Sequence, residues 1–486
     1  MSIYRTWVAL AALALVTSAT VGAAAAPRPS IVMILSDDED LASHRVMERT
    51  RALVADQGVV LANYFVTNAF CCPSRTTILR GQYAHNHRIE GNDLPAGGFA
   101  KFKALQLDRS TIATWLHAAG YRTAFLGKLL NGYEPEMDPP QPGWDEWYGV
   151  GGRFTNFGYT LNENGSLVDY GHEPEDHLTD VLARRAAEVI GRTPADQPLF
   201  LIVAPYDPHS PAQAAPRHAG LYADEPLPSS ASFDEADVTD KPSYVADQKR
   251  LEPWQIEAVT RHNRERLRAL RAVDDLVATV VGALEASGRL DETYVVYTSD
   301  NGFHMGQHRL FIGKTTAYEE DIRVPMAIRG PGLPKGVTLQ PMVLNNDLAP
   351  TFATIAGVVP PSFVDGRNFL GLLTKPDQPW RRSFLIGRRQ TETHELGGKA
   401  IIDGLRTARH TYVEYGTGER ELYDLVADPF QLDNIAATAD PILLEALAAR
   451  LVELKNCAAG TCRILEDLPV EPDALPVAEH EGASKG

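Results

Sequence analysis

Short runs of consecutive apolar residues alternate along this chain with longer stretches in which apolar residues recur every three or four positions. Residues 30–36 (SIVMILS) are apolar throughout and rich in branched side chains, the pattern of a strand buried on both faces of a parallel sheet. The pattern returns at 198–203 (PLFLIV), at 293–298 (TYVVYT) and more weakly at 123–126. Between these lie helical patterns. The clearest spans 254–287, with Leu267, Leu270, Val273, Val277, Val280, Val281 and Leu284 at helical spacing. Shorter ones run from about 179 to 190 and from about 347 to 356. Strands alternating with helices predict an α/β layer structure around a large, mostly parallel sheet.

The pattern then changes. Residues 212–250 are polar, loop-like and proline-bearing, and read as a surface excursion over the rim of a site. From about residue 380 a smaller α+β unit begins, with antiparallel strand signals at 400–402 and 411–415 and a closing helix near 440–455. The predicted organisation is a catalytic domain over 27–379, a C-terminal subdomain over 380–465 and a disordered tail over 466–486. Residues 1–26 read as a signal peptide: Arg5, a short apolar run from Trp7 to Val16, then four alanines at 23–26. A secreted or periplasmic location is expected, with no stable membrane span, because no other long uncharged apolar stretch occurs.

In a parallel sheet, ligands sit beyond the carboxyl ends of the strands. Asp37 and Asp38, Lys128, and Asp300 with Asn301 all fall there. Two adjacent carboxylates in a dry site repel unless a cation lies between them. With Asp300 and Asn301 they form an all-oxygen set suited to Ca²⁺ or Mg²⁺. Read alone, either pair is equally well a set of solvated loop carboxylates.

Charge narrows the partners. With 46 basic and 63 acidic residues the chain carries a net charge of −17, which argues against nucleic acid. It leaves room for a small anion met by a few clustered cations. At 486 residues and 44% apolar content the chain can bury a large core. Of its four cysteines, Cys457 and Cys462 enclose a four-residue loop at the end of a helical pattern and suit a disulfide. Cys71 and Cys72 are adjacent, could bridge each other only under strain, and invite another use. A helix starting at 74 would place Cys71 at its positive end, where a free thiolate would be activated, with Arg75 one turn on to meet an oxyanion.

Cys71-Cys72-Pro73-Ser74-Arg75 resembles the C-x-P-S-R signature of type I sulfatases, in which the first cysteine is converted to formylglycine by a generating enzyme. Further pieces in the family's order include Gly127-Lys128, Pro208-His209-Ser210-Pro211, Ser299-Asp300-Asn301-Gly302, Gly313-Lys314 and Asp365-Gly366-Arg367. The resemblance implies an alkaline-phosphatase-like α/β fold with a smaller C-terminal α+β unit. The doubled cysteine, residues 83–87 (YAHNH) and residues 127–133 (GKLLNGY) are most similar to the glucosamine-6-sulfatase branch, which includes the extracellular heparan-sulfate 6-sulfatases.

It further implies Cys71, Arg75, Lys128, His209 and Lys314 as catalytic residues, with Asp37, Asp38, Asp300, Asn301 and the modified Cys71 around the metal. A formylglycine hydrate at 71 would attack sulfur with one hydroxyl and expel sulfate with the other, while His209 protonates the leaving alcohol. Many family members carry a histidine two residues after the lysine, where this chain has Leu130 and then Asn131. His85, His87 and His304 are candidates for that task, or with Asn131 for substrate contact. The expected substrate is a sulfated sugar such as N-acetylglucosamine 6-sulfate. Rivals are an aryl sulfate, a phosphate or phosphonate ester, and a silent glycan-binding protein with the same fold.

Overall fold

The structure is a computed structural model and describes residues 28–152, 154–227, 230–388 and 401–470; the expected signal segment lies outside them. Its strands are β1 (Ser30–Ser36), β2 (Val59–Leu61), β3 (Tyr64–Phe65), β4 (Arg122–Lys128), β5 (Glu146–Val150), β6 (Thr160–Glu163), β7 (Ser166–Asp169) and β8 (Leu199–Ala204). They continue with β9 (Thr293–Ser299), β10 (Met326–Arg329), β11 (Val337–Leu339) and β12 (Val343–Leu344). The last four are β13 (Ser383–Arg388), β14 (Ile402–Thr407), β15 (His410–Tyr415) and β16 (Arg420–Asp424).

Ten strands form one sheet in the order β11-β2-β10-β9-β1-β8-β4-β5-β6-β7. The centre is parallel, with Ile31 of β1 beside Phe200 of β8 on one side and Tyr294 of β9 on the other. The margins are mixed: β10 runs antiparallel to both β9 and β2, and β5, β6 and β7 form an antiparallel meander. The continuous apolar runs mark the central strands, which are covered on both faces. Ile31, Met33 and Leu35 point into one core layer, and Val32 and Ile34 into the other.

Helices Leu178–Arg192 and Pro253–Ala286 cover the second face, and the long helix buries the stripe through Leu267, Leu270, Val273 and Val277 seen in the sequence. Helices Cys71–Arg80, Ile112–Ala118 and Leu348–Ile355 cover the first.

The C-terminal unit is a four-stranded antiparallel sheet, β13-β14-β15-β16, backed by helix Pro441–Lys455 through Leu447, Leu451 and Leu454. Cys457 and Cys462 are disulfide-bonded, whereas Cys71 and Cys72 are free. The two units are joined by buried charge. Arg381 donates to both oxygens of Asp347, at 2.6 and 2.9 Å, and to Glu466 at 2.8 Å.

Glu466, placed by sequence at the start of a tail, is therefore fully buried, and it also receives Arg367 at 2.8 Å and the Tyr83 hydroxyl. It lies in the last turn of the short helix Gly460–Asp467, and an acidic tail composition concealed one residue whose partners lie at 83, 367 and 381. The rest of the expected tail, from 471, lies outside the described residues.

Replacing Arg381 by alanine strands two buried carboxylates and is expected to cost about 3–5 kcal/mol. Breaking the small Cys457–Cys462 loop with serines costs about 2 kcal/mol. Urea unfolding midpoints read both; a smaller loss for Arg381→Ala than for the disulfide variant would contradict this ranking.

Candidate active site

The site is built at the carboxyl edge of the central strands. After β1 the chain turns at Asp38, whose φ of 66° is left-handed. The loop is stitched to the end of β9: Asp300 N donates to the Ser36 carbonyl at 3.1 Å and Asp38 N to Asp300 Oδ1 at 3.0 Å. Arg266, from the long helix, donates to the Asp38 carbonyl at 2.6 Å and to Asp40 Oδ1 at 2.9 Å. Fully buried Asp37 and nearly buried Asp38 are thus fixed in place by backbone and by a buried guanidinium.

Into this cradle points the first residue of helix Cys71–Arg80, entered from Phe70 in extended conformation. Cys71 Sγ lies 2.9 Å from Lys314 Nζ and 3.8 Å from Asp37 Oδ1. Burial pushes its thiol up to about 11, against the pull of Lys128 and Lys314. The sequence expectation of an activated thiolate is thereby corrected: desolvation, with Asp37 and Asp38, outweighs both lysines.

Each buried acid has its own cation. Lys128, closing β4, contacts Asp37, and Lys314 contacts Asp38. Burial alone would raise both, but Lys128 and then Arg75 hold Asp37 well below the ordinary carboxylate range, and Lys314 and then His209 lower Asp38. Arg75 spans the floor, with Nε 2.6 Å from Asp300 Oδ2 and a terminal nitrogen 2.6 Å from the Lys128 carbonyl.

His209 places Nε2 3.7 Å from Asp38 Oδ2, and its Nδ1 meets the Ser210 carbonyl at 2.6 Å. That carbonyl can only accept, so Nδ1 carries the proton and Nε2 faces the site. Phe154 stacks on the imidazole at 4.6 Å and lies 4.7 Å from Lys128 Nζ. Burial lowers the His209 pKa against the attraction of Asp38.

The donors suit a hard divalent cation. Ligand atoms of Asp37, Asp38, Cys71 and His209 all lie within 4.8 Å of one another. Asn301 gives its Nδ2 to Asp38 Oδ1 at 2.8 Å, leaving a buried Oδ1 with no hydrogen-bond partner. Asp300 is pushed up to about 6 by burial and by Asp37, the mark of an acid short of positive charge. Asp37, Asp38, Asp300 and Asn301 would supply the oxygens such an ion prefers.

The remaining candidates divide. His304 braces the cluster: its Nδ1 meets Asp321 at 3.0 Å, and Asp321 accepts Thr316 N two residues beyond Lys314. Asn131 donates its backbone N–H to Cys72 Sγ at 3.1 Å, tying the loop after Lys128 to the nucleophile helix. His85 and His87 stay outside. His85 Nε2 bonds the Cys457 carbonyl at 2.9 Å, and His87 is buried against the Thr77 hydroxyl at 3.0 Å.

Two contributors escaped sequence reading. Arg266 had a signal, a cation on the core-facing stripe of an amphipathic helix, whereas Phe154 sits in an irregular segment with none.

The family pattern described as Sulfatase matches residues 29–358, and that of the N-sulphoglucosamine sulphohydrolase C-terminal region matches 306–456. The chain is 34% identical to the N-acetylglucosamine-6-sulfatase of Capra hircus over 475 residues, 90% of this chain and 85% of that protein. It is 33% identical to the same enzyme of Homo sapiens over 480 residues, covering 91% and 87%. An extracellular sulfatase SULF-1 homolog of Drosophila melanogaster is 36% identical over 75% of this chain, which spans only 34% of that longer protein.

Among solved structures, a complex with the substrate D-glucosamine-2-N,6-O-disulfate superposes with a TM-score of 0.74 at 23% identity, over 88% of this chain and 97% of that one. The phosphonate monoester hydrolase of Agrobacterium radiobacter shares the fold with a TM-score of 0.69 at 21% identity, over 88% and 95%. With the Sulfatase pattern matched over residues 29–358 and relatives above 30% identity over most of both chains, this chain belongs to the sulfatase family and is a sulfate ester hydrolase.

Proposed function

We propose that this chain releases sulfate from the 6-position of a sulfated amino sugar of the N-acetylglucosamine 6-sulfate class, with formylglycine made from Cys71 as nucleophile. The observation that carries the reading is the setting of Cys71 Sγ, 2.9 Å from Lys314 Nζ beside two buried acids. An unmodified thiol held near 11 is a poor nucleophile there. When present, the formylglycine hydrate supplies two hydroxyls on one carbon, and a bound Ca²⁺ or Mg²⁺ supplies Lewis acidity toward the ester oxygens.

The chain's own residues do the rest. Lys128, Lys314 and Arg75 hold fixed positive charge around the sulfuryl group, in a setting stripped of water where it acts strongly. His209, locked as the Nδ1 tautomer by the Ser210 carbonyl, needs one proton at Nε2 to act as the acid toward the leaving alcohol. Phe154 keeps that ring from rotating away.

The curated relatives of matching length support the sugar substrate, and the extracellular relative supports secretion, which the signal-like residues 1–26 also suggest. No helix among the described residues is long and apolar enough to cross a membrane. Maturation then requires contact between the Cys71–Arg75 segment, still extended, and a formylglycine-generating enzyme. Because phosphonate hydrolases share the fold, a phosphate or phosphonate ester is the second reading.

Protein made alongside a formylglycine-generating enzyme should show the aldehyde at position 71 by peptide mass spectrometry, and Cys71→Ser should show neither aldehyde nor turnover. An active enzyme with unmodified Cys71 would overturn the nucleophile. His209→Ala should lower kcat on sugar sulfates by about 10²–10⁴-fold, with a much smaller loss on an activated nitrophenyl sulfate whose leaving group needs no proton. Chelation should abolish turnover and Ca²⁺ or Mg²⁺ restore it. Faster turnover of methyl phosphonate esters than of sulfates would favour the second reading.

A further inference from the structure

We infer that Trp254 and Phe311 form a stacking platform for a second sugar ring of a sulfated oligosaccharide, beyond the ring that carries the scissile ester. This rests on the sulfated-sugar reading above. The pair is conspicuous by its cost: Trp254 is 63% exposed, in the first turn of helix Pro253–Ala286, with its ring edge-on to Phe311 at 6.0 Å. Exposed aromatic surface that is rigidly held marks recognition sites.

Both rings belong to elements that build the active site. The long helix lies in the connection between parallel strands β8 and β9, so it runs opposite to them and starts at their carboxyl edge. Contacts confirm the direction: Arg266 holds the Asp38 carbonyl at 2.6 Å, and His262 Nε2 lies 3.3 Å from Ser210 Oγ beside the His209 turn. From Arg266 back to Trp254 the helix rises about 18 Å, out of the acid cradle and over its rim.

Phe311 arrives from the other side, on the loop from Asn301 to Lys314. There His304 and Gly313 exchange backbone hydrogen bonds at 2.8 and 3.1 Å, and Phe311 is three residue steps from Lys314, at most about 11 Å of chain.

Phe311 packs, with Leu227, Phe233 and Ile312, on a small buried core of Val259, Phe303 and Met305, so the ring against which Trp254 rests is held in place before any ligand binds. Arg261, seven residues after Trp254 and on the same helical stripe, is exposed and makes no hydrogen bond or ion pair among the described residues. A flat apolar ring with an uncommitted guanidinium two turns away matches a pyranose face flanked by a sulfate. The helix rise from Arg266 puts Trp254 at the rim rather than in the acid cradle, the position of a flanking unit.

The test compares a 6-sulfated monosaccharide with a tetrasaccharide bearing the same terminal ester, using the mature enzyme. Trp254→Ala should lower kcat/KM on the tetrasaccharide by about tenfold, a loss typical of one aromatic contact, and leave the monosaccharide within twofold. Trp254→Phe should restore most of the loss. Equal losses on both substrates, or none on either, would overturn the platform.

Equilibrium binding of the tetrasaccharide to Cys71→Ser protein, with and without Trp254→Ala, reads the same contact without turnover. A platform that exists weakens severalfold there even when the wild type releases no sulfate from sugars, the result that would instead sink the substrate reading. A concentration-dependent dimer that disappears in Trp254→Ala would assign the patch to a second copy of the chain and overturn the sugar site.

Discussion

Two lysine–aspartate pairs, Lys128 with Asp37 and Lys314 with Asp38, are buried around a single sulfur atom, and each ion stays charged only because its partner does. Removing an isolated charge from water costs several kcal/mol, so none of these groups is tolerable alone. This constraint organises the molecule. Asp37 and Asp38 leave β1, Lys128 ends β4, Asp300 follows β9, and Lys314 closes a loop that starts beside Asn301. The central parallel strands must lie in register for these ends to meet, and Arg75 and Arg266 fill the remaining positions where an unpaired carboxylate or carbonyl would face a dry interior.

The same dryness explains the chemistry assigned to position 71. Two lysines favour a thiolate, yet full burial and the two acids favour the neutral thiol more strongly. A carbonyl hydrate avoids the conflict, because it offers an oxygen nucleophile without requiring a resting anion in a low-dielectric pocket. His209 is held in a complementary way. Its outer nitrogen is committed to a backbone carbonyl and its face to Phe154, so only Nε2 remains to exchange protons at the site.

The C-terminal unit is part of this arrangement. Tyr318, four residues beyond Lys314, donates to Glu421 of β16 at 2.7 Å, and Glu421 also receives the Tyr423 hydroxyl at 2.6 Å. The Tyr318–Glu421 bond pins the end of the loop bearing Lys314 to the C-terminal sheet, while Asp321 holds it through His304 and Thr316. A lysine placed by a loop is thereby held as firmly as one placed by a strand.

Much of this was legible in the chain. Local periodicity reports burial directly, so the central strands and the long helix lie within a residue or so of where the pattern put them, and Cys457 and Cys462 pair as their spacing suggests. Asp37, Asp38, Lys128, Asp300 and Asn301 were legible because each follows an apolar run, and strand ends in a parallel sheet converge; Lys314 and His209 were legible only through the family resemblance. Tertiary structure alone decided the rest. The antiparallel margins depend on pairings between short segments with no pattern of their own.

His85 and His87 lie close in sequence to the nucleophile helix but in a separate short turn, Ala84–His87, and bond Cys457 and Thr77 instead. Glu466 looked like tail because its three partners lie at 83, 367 and 381. The neutral state of Cys71 follows from the water excluded around it. Sequence determines which groups are present and how each segment prefers to fold; desolvation and long-range ion pairing are sums over neighbours, and only the assembled fold supplies the neighbours.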